Sequence, residues 1–238
     1  MGNSLTRLFV KDMIREGAQL TLTGDDAQHM RALRARVGEG LEVACPAGVY
    51  RATVAEAGKN SFVLNICSVL KDSREIGLRL VLFQALPKGA KMELILQKAV
   101  ELGVSEVVPV HTLRSVSTGD RAGRWGRIAH QAAMQCRRDF IPIIQNIHNI
   151  AEAIKYAESL ELSLVAYEEE RANTISQNLR KAQSIGIFIG PEGGFDLSEI
   201  EILSSANVNA VSLGRRILRT ETAAIAALTA VLFAMGEM

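Results

Sequence analysis

From residue 78 onward the chain alternates short apolar runs with longer stretches whose apolar residues recur at helical spacing. RLVLFQAL reads as a buried strand. KGAKMELILQKAVELG follows it with Met92, Ile95, Leu96, Ala99 and Val100 on one stripe, the pattern of an amphipathic helix. Gly103 then stops that helix. EVVPV, LSLVAY, SIGIFIG and AVSLG continue the strands, while RWGRIAHQAAMQC, IAEAIKYAES and TETAAIAALTAVLFAM continue the helices. Asp196 with Glu199 three residues later predicts a capping box that starts a further helix, DLSEIEILSSA. Such alternation predicts an α/β fold: a mostly parallel sheet with helices on both faces, since each crossover returns the next strand in the same direction.

The first seventy residues have another texture. RLFV, QLTLT, LEVAC, YRATVAEA and SFVLNICSVL are short runs separated by turn signals about ten residues apart, such as Gly24-Asp25-Asp26 and Gly38-Glu39-Gly40. That spacing predicts a small β-barrel, interrupted by one helix near AQHMRALRAR. The polar KDSREIG, residues 71 to 77, is the expected linker, giving domains at 1–72 and 73–238.

Several function classes are disfavoured. Cys45, Cys67 and Cys136 are far apart and form no CxxC, so neither a disulfide framework nor a zinc site is expected. His29, His111, His130 and His148 make no metal-binding spacing, and no metal is expected. No apolar run approaches the roughly 20 residues that span a bilayer, so a cytoplasmic protein is expected. The net charge of +1 gives no global attraction to nucleic acid. Yet 19 of the 27 basic residues are arginine, the side chain that forks onto phosphate and stacks on bases.

Two glycine-bearing turns end the last two strands: IGPEGG at 189–194 and LGRRILRTETA at 213–223. Ligands of open α/β sheets bind beyond the carboxyl ends of strands, so both turns are expected on one edge, side by side. There is no GxGxxG and no GxxxxGK[ST], and Glu192 would repel a phosphate. A ligand read by backbone and apolar side chains fits better than a polyphosphate. A pair of ordinary tight turns is the competing reading.

IGPEGGF together with SLGRRILRTETA resembles the signature pair of the SPOUT methyltransferases. RLFV, HMRALRARVGEG, KGAKMELILQKAVELGVSEVVPV, the RWGRIAHQAAMQCRR region and both late turns occur in the order of one SPOUT family, the bacterial 16S rRNA (uracil-N3) methyltransferases, RsmE. The resemblance implies a C-terminal SPOUT α/β domain tied in a trefoil knot and a small N-terminal PUA-like β-barrel that binds RNA. It implies S-adenosyl-L-methionine as methyl donor, a homodimer that completes the active site, and as target a uridine in the decoding region of 16S rRNA, carried in the small ribosomal subunit. Another RNA such as tRNA, or a non-catalytic ribosome assembly role, are the rival readings. The family usually carries a Glu-Gln-Ser-Gly-Arg-like stretch where this chain has Met134 to Arg138, so Met134 and Arg137 depart from it.

Candidate residues follow. Ile189, Gly190, Pro191, Glu192, Gly193 and Gly194 would frame the cofactor with Leu213, Gly214, Ile217 and Leu218, and Ala166 ends a third wall. Glu221 is the candidate base for the uracil N3 proton, and Arg219 the candidate anion stabiliser, with Arg138 a third candidate catalytic residue. Arg7, Arg31, Arg34, Arg114, Arg137 and Arg215 are expected to touch RNA, with Arg36, Arg121, Arg124, Arg127 and Arg216 in the same clusters. Ile225, Leu228, Leu232 and Met235 on the last helix serve either the core or a dimer seam.

Overall fold

The computed structural model describes residues 5–115, 122–179 and 181–238, which leaves Arg121 outside the described residues. The chain divides into two compact units: Met1–Glu75 with Ala133–Ile141, and Ile76–Ala132 with Pro142–Met238.

The first unit holds β1 (Arg7–Phe9), β2 (Gln19–Leu22), α1 (Gly24–Ala32), β3 (Gly40–Cys45), β4 (Gly48–Ala57) and β5 (Phe62–Val69). The strands lie in the order β1-β3-β4-β5-β2, with β1 parallel to β3 and the other pairs antiparallel. Among the described residues β1 and β2 do not pair with each other, so the sheet is a half-barrel. Two register shifts in β4 add curvature. Phe62, Leu64 and Ile66 of β5 point inward and alternate with outward residues, as one buried sheet face requires. Val43, Val54, Leu64 and Met30 of α1 form the core.

The segment 133–141 belongs to this unit for a physical reason. Arg7 is only 2% exposed, and its guanidinium donates to Glu42 at 2.8 Å, to the carbonyls of Arg137 and Arg138 at 2.8 Å each, and to Asp139 at 2.7 Å. Arg138 is buried as well, paired with Glu75 at 2.7 Å, with its guanidinium 4.8 Å from the centre of the Phe140 ring. Met134 packs against the apolar core, a place where a carboxylate would be costly. Arg137 holds φ 60, the left-handed conformation that a glycine adopts freely. The two departures from the family stretch therefore sit in an apolar contact and a glycine-like backbone.

The second unit runs β6 (Arg79–Ala85), α2 (Lys91–Glu101), β7 (Glu106–His111), α3 (Ala122–Cys136, whose residues from Ala133 on count with the first unit), β8 (Ile143–Ile144), β9 (His148–Asn149), α4 (Ile150–Ala157), β10 (Leu162–Ala166), α5 (Ile175–Asn178), β11 (Ser184–Ile189), α6 (Leu197–Ser205), β12 (Val208–Val211) and α7 (Thr220–Met235). All strand pairs are parallel, in the order β12-β10-β11-β6-β7-β8, with β9 also on β7. The central strands are apolar on both faces. Leu80, Leu82, Leu164, Ile185 and Ile187 pack with α2 and α7, while Val81, Val165 and Phe188 pack with α4 and α6. Met92, Ile95, Leu96, Ala99 and Val100 are the buried residues of α2, the stripe read from the sequence. The Asp196–Glu199 capping box opens α6 as expected. α7 buries Ala224, Ala227, Leu228, Val231 and Leu232 in the core, so Leu228 and Leu232 serve packing.

At the amino ends of β6 and β7, buried Glu106 accepts hydrogen bonds from Arg79 at 2.8 Å, from Gln145 at 3.3 Å and from the Tyr156 hydroxyl. Burial pushes the Glu106 carboxyl pKa up, but Tyr156, Arg79 and Gln145 outweigh it and hold the group below its ordinary value. Among the described residues, no helix is long and apolar enough to cross a membrane.

Candidate functional site

Parallel strands deliver their carboxyl ends to one edge of the sheet. There β12, β10 and β11 lie side by side, with β10 in the middle. The two glycine turns are therefore not direct neighbours: after β11 the chain crosses β10 and lays β12 on its far side. A cleft with about 730 Å³ of open space, including its mouth, occupies this edge. Ala166, Tyr167, Glu168 and Arg171 line it after β10, and Ile189, Gly190, Pro191, Glu192 and Gly194 line it after β11. Leu213 to Leu218 line it after β12, and Thr220 and Ala223 of α7 complete it. A cleft at the point where connections leave in opposite directions is the expected ligand position for an open α/β sheet.

The turn after β11 is held rigidly. The Gly194 amide donates to the Pro191 carbonyl at 3.0 Å, closing a tight turn, and Gly194 has φ 69. A Cβ on Gly194 would lie 3.0 Å from Cδ of Glu168, and one on Gly190 would lie 3.2 Å from Phe195 and 3.3 Å from Gly194. Gly190 needs glycine for lack of room against Phe195 and the Gly194 backbone, whereas Gly194 needs it for its left-handed backbone, since the exposed end of Glu168 could shift aside. Thr220, 4% exposed, donates its hydroxyl to the Gly190 carbonyl at 2.7 Å and accepts from Gln84 at 3.0 Å, joining β6, the turn and α7. From outside, Arg114 donates to the Gly193 carbonyl at 2.8 Å and to Asp196 at 2.9 Å. Glu192 accepts from the Lys88 amide at 3.1 Å and from Lys91 Nζ at 2.7 Å. Burial raises the Glu192 pKa, but Lys91 and the backbone amides hold it below its ordinary value. The opposite wall is apolar at its rim, where Ile217 is 87% exposed.

The cleft thus offers backbone groups and apolar surface, with no glycine-rich phosphate loop. Residues 74–232 match the RNA methyltransferase domain family. A Bacillus subtilis protein named ribosomal RNA small subunit methyltransferase E is 30% identical over 246 residues, covering 95% of this chain and 96% of its own. The chain belongs to the ribosomal RNA small subunit methyltransferase E family. A Mesomycoplasma hyopneumoniae protein of the same name is 36% identical over 71% of this chain and 76% of its own. The crystal structure of the Neisseria gonorrhoeae methyltransferase E, bound to S-adenosyl methionine, superposes with a TM-score of 0.92 at 29% identity, covering 97% of this chain and 98% of that one. A Legionella pneumophila structure with the bound cofactor SAM gives 0.89 at 31% identity, covering 97% and 98%.

In this methyltransferase E chain, the cofactor residues read from the sequence all line the cleft except Gly193. Gly193 sits on the outer side of the turn, where a Cβ would meet Arg114 at 3.4 Å, an ordinary contact. The candidate catalytic residues are differently placed. Arg219 is the exposed N-cap of α7 and is not on the lining. Glu221 is also off the lining. Its side chain is 15% exposed, and it lies 3.9 Å from Lys91 Nζ with a buried Oε2 that has no hydrogen bond. Arg138 is tied to Glu75 in the first unit, so its charge is used within the fold. Arg7 is likewise a buried structural cation, and burial removes it from any RNA surface. Arg114 spends its guanidinium on Gly193 and Asp196. Arg31, Arg34 and Arg215 are exposed, Arg137 is half-buried, and Arg215 and Arg216 also line the cleft. Sequence reading missed Glu168, Arg171 and Thr220. The signal for the first two was their position just after the strand LSLVAY, whose Ala166 was read as ending a third wall; Thr220 gave none, because its value lies in a long-range hydrogen bond. Among the described residues, no group of His, Cys, Asp and Glu gathers as a metal site.

Proposed function

We propose that the protein is an S-adenosylmethionine-dependent methyltransferase that acts on N3 of a uridine in the decoding region of 16S rRNA. The observation that carries this is the cleft itself: it is built from the paired turns 189–194 and 213–218, in a chain whose relatives are named as small-subunit rRNA methyltransferases. Two structural relatives hold S-adenosylmethionine, and the residues here suit that molecule. Gly214 has open space where a Cβ would stand, and Leu213, Ile217 and Leu218 give an apolar surface for a flat base.

When bound, S-adenosylmethionine supplies an electrophilic methyl group, so that the sulfur–methyl bond breaks as the nitrogen–methyl bond forms and a neutral thioether remains. The protein's task is to hold the acceptor nitrogen in line and to keep the cleft rigid. The Thr220 and Lys91 contacts serve the second need. N3 of uracil also gives up a proton, which passes to solvent water at the mouth of the cleft. Arg219, at the N-terminus of α7, is proposed to favour the base anion. Glu221 lies beside Lys91 and off the cleft lining, so no contact with the base is assigned to it.

In the same proposal, Arg31, Arg34, Arg137 and Arg215 contact RNA phosphates, the first unit is a PUA-like barrel, the chain around α7 is knotted, and two copies pair in the cytoplasm. Ile225 stays half-buried on α7 and Phe233 is 75% exposed, which supports a seam there. The test is transfer of labelled methyl from S-adenosylmethionine to small ribosomal subunits that lack uridine-N3 methylation, with the nucleoside identified by mass spectrometry. 3-Methyluridine is the expected product. Donor binding without transfer, or transfer only to tRNA, would overturn the target.

A further inference from the structure

The charge on the cleft lining is uneven. Arg171, Arg215 and Arg216 all line it, and among the described residues none of the three guanidinium groups makes a hydrogen bond or ion pair. Two carboxylates also line it, Glu168 and Glu192. Glu192 is engaged by the Lys88 amide and Lys91. Glu168 is exposed, with no such partner among the described residues, and its carboxylate lies over Gly194 where a side chain would collide with it. It is thus the one lining carboxylate left to face a cationic ligand, in a cleft whose three lining guanidinium groups would repel one.

We infer that Glu168 is a specificity-determining residue that favours the positively charged methyl donor over its demethylated product. This rests on the reading that the cleft holds S-adenosylmethionine. Donor and product share adenine, ribose and the amino-acid end, and differ by the methyl group and the sulfonium charge. An unpaired carboxylate at Glu168 lowers the energy of the ligand that carries that charge and gives the neutral thioether nothing, which also helps product leave. Gly194 keeps the space above the turn open for that carboxylate.

The experiment is calorimetric titration of the full chain and of Glu168→Gln with S-adenosylmethionine and with S-adenosylhomocysteine, at low and high salt. Glutamine keeps the size and a hydrogen-bond acceptor but removes the charge. Glu168→Gln is expected to weaken donor binding about fivefold, the size of one partly exposed charge pair, and to change product binding by less than about twofold. Salt is expected to shrink the donor preference of the unaltered chain. Glu168→Asp, which keeps the charge on a shorter arm, is expected to fall between. An equal loss for both ligands would show that the carboxylate reads a shared group such as the ribose hydroxyls, and would overturn the inference, as would undiminished donor affinity. Failure of the unaltered chain to bind either ligand would instead remove the donor assignment on which it rests.

Discussion

At Gly193 and Gly194, two identical letters face opposite situations. Gly194 has a left-handed backbone and faces Glu168 across the cleft, while Gly193 turns outward to Arg114 with ordinary room for a Cβ. The motif GPEGG marked the turn as a candidate binding element, but only the fold says which glycine lines the cleft. Thr220 shows the same limit, since a threonine at the start of an apolar helix looks like a cap. Its hydroxyl in fact joins Gln84 to the Gly190 carbonyl. Thr220→Val leaves that carbonyl and one Gln84 donor short of a partner, and is expected to cost about 1–3 kcal/mol of stability. Urea unfolding of the variant measures it. Arg138→Ala is expected to behave as a stability mutation too, at about 3–5 kcal/mol, because Glu75 loses the cation that neutralises it. A variant that unfolds like the original but binds rRNA poorly would return Arg138 to the RNA surface.

At the scale of elements, periodicity was a good guide wherever one face of a helix or both faces of a strand are apolar. α2 buries the five residues of its predicted stripe, and β6 and β11 are buried runs as read. β8, β9 and α5 have two, two and four residues, too few for any period to show. The amino ends of β6 and β7 carry a polar cluster that periodicity does not reveal, because Glu106 there depends on Tyr156 from α4. Its lowered pKa means that the cluster's contribution is fully present above the unfolded value and is lost as pH falls through the folded one. The second unit is therefore expected to lose stability once pH drops below about 4.5. Tyr156→Phe is expected to cost about 1 kcal/mol at neutral pH and to flatten that acid limb. Melting curves from pH 3 to pH 7 check both, and an unchanged acid limb would contradict the role given to Tyr156.

For the whole molecule, the sequence put a linker at residues 71–77 between domains 1–72 and 73–238, while the compact units divide after Glu75 and return residues 133–141 to the first, which the sequence reading did not foresee. That return is held by Arg138 on Glu75, by Met134 in the apolar core and by buried Arg7, which lies 130 positions upstream of the carbonyl it holds at Arg137, a separation no local pattern encodes. The net charge of +1 leaves rRNA attraction to local clusters. Replacing both Arg215 and Arg216 by alanine is expected to lower the salt slope of rRNA binding by about 1–2. An unchanged slope in filter binding across salt concentrations would take them off the phosphate path. The account as a whole stands on the cleft at the ends of β10, β11 and β12 being the methyl-donor site. The most direct test is calorimetric S-adenosylmethionine affinity for the unaltered chain, Gly193→Val and Gly194→Val. The account predicts measurable binding that Gly193→Val changes by less than about threefold, and that Gly194→Val weakens by about tenfold or more through strain and collision with Glu168. Undiminished binding by Gly194→Val would contradict it and move the donor elsewhere.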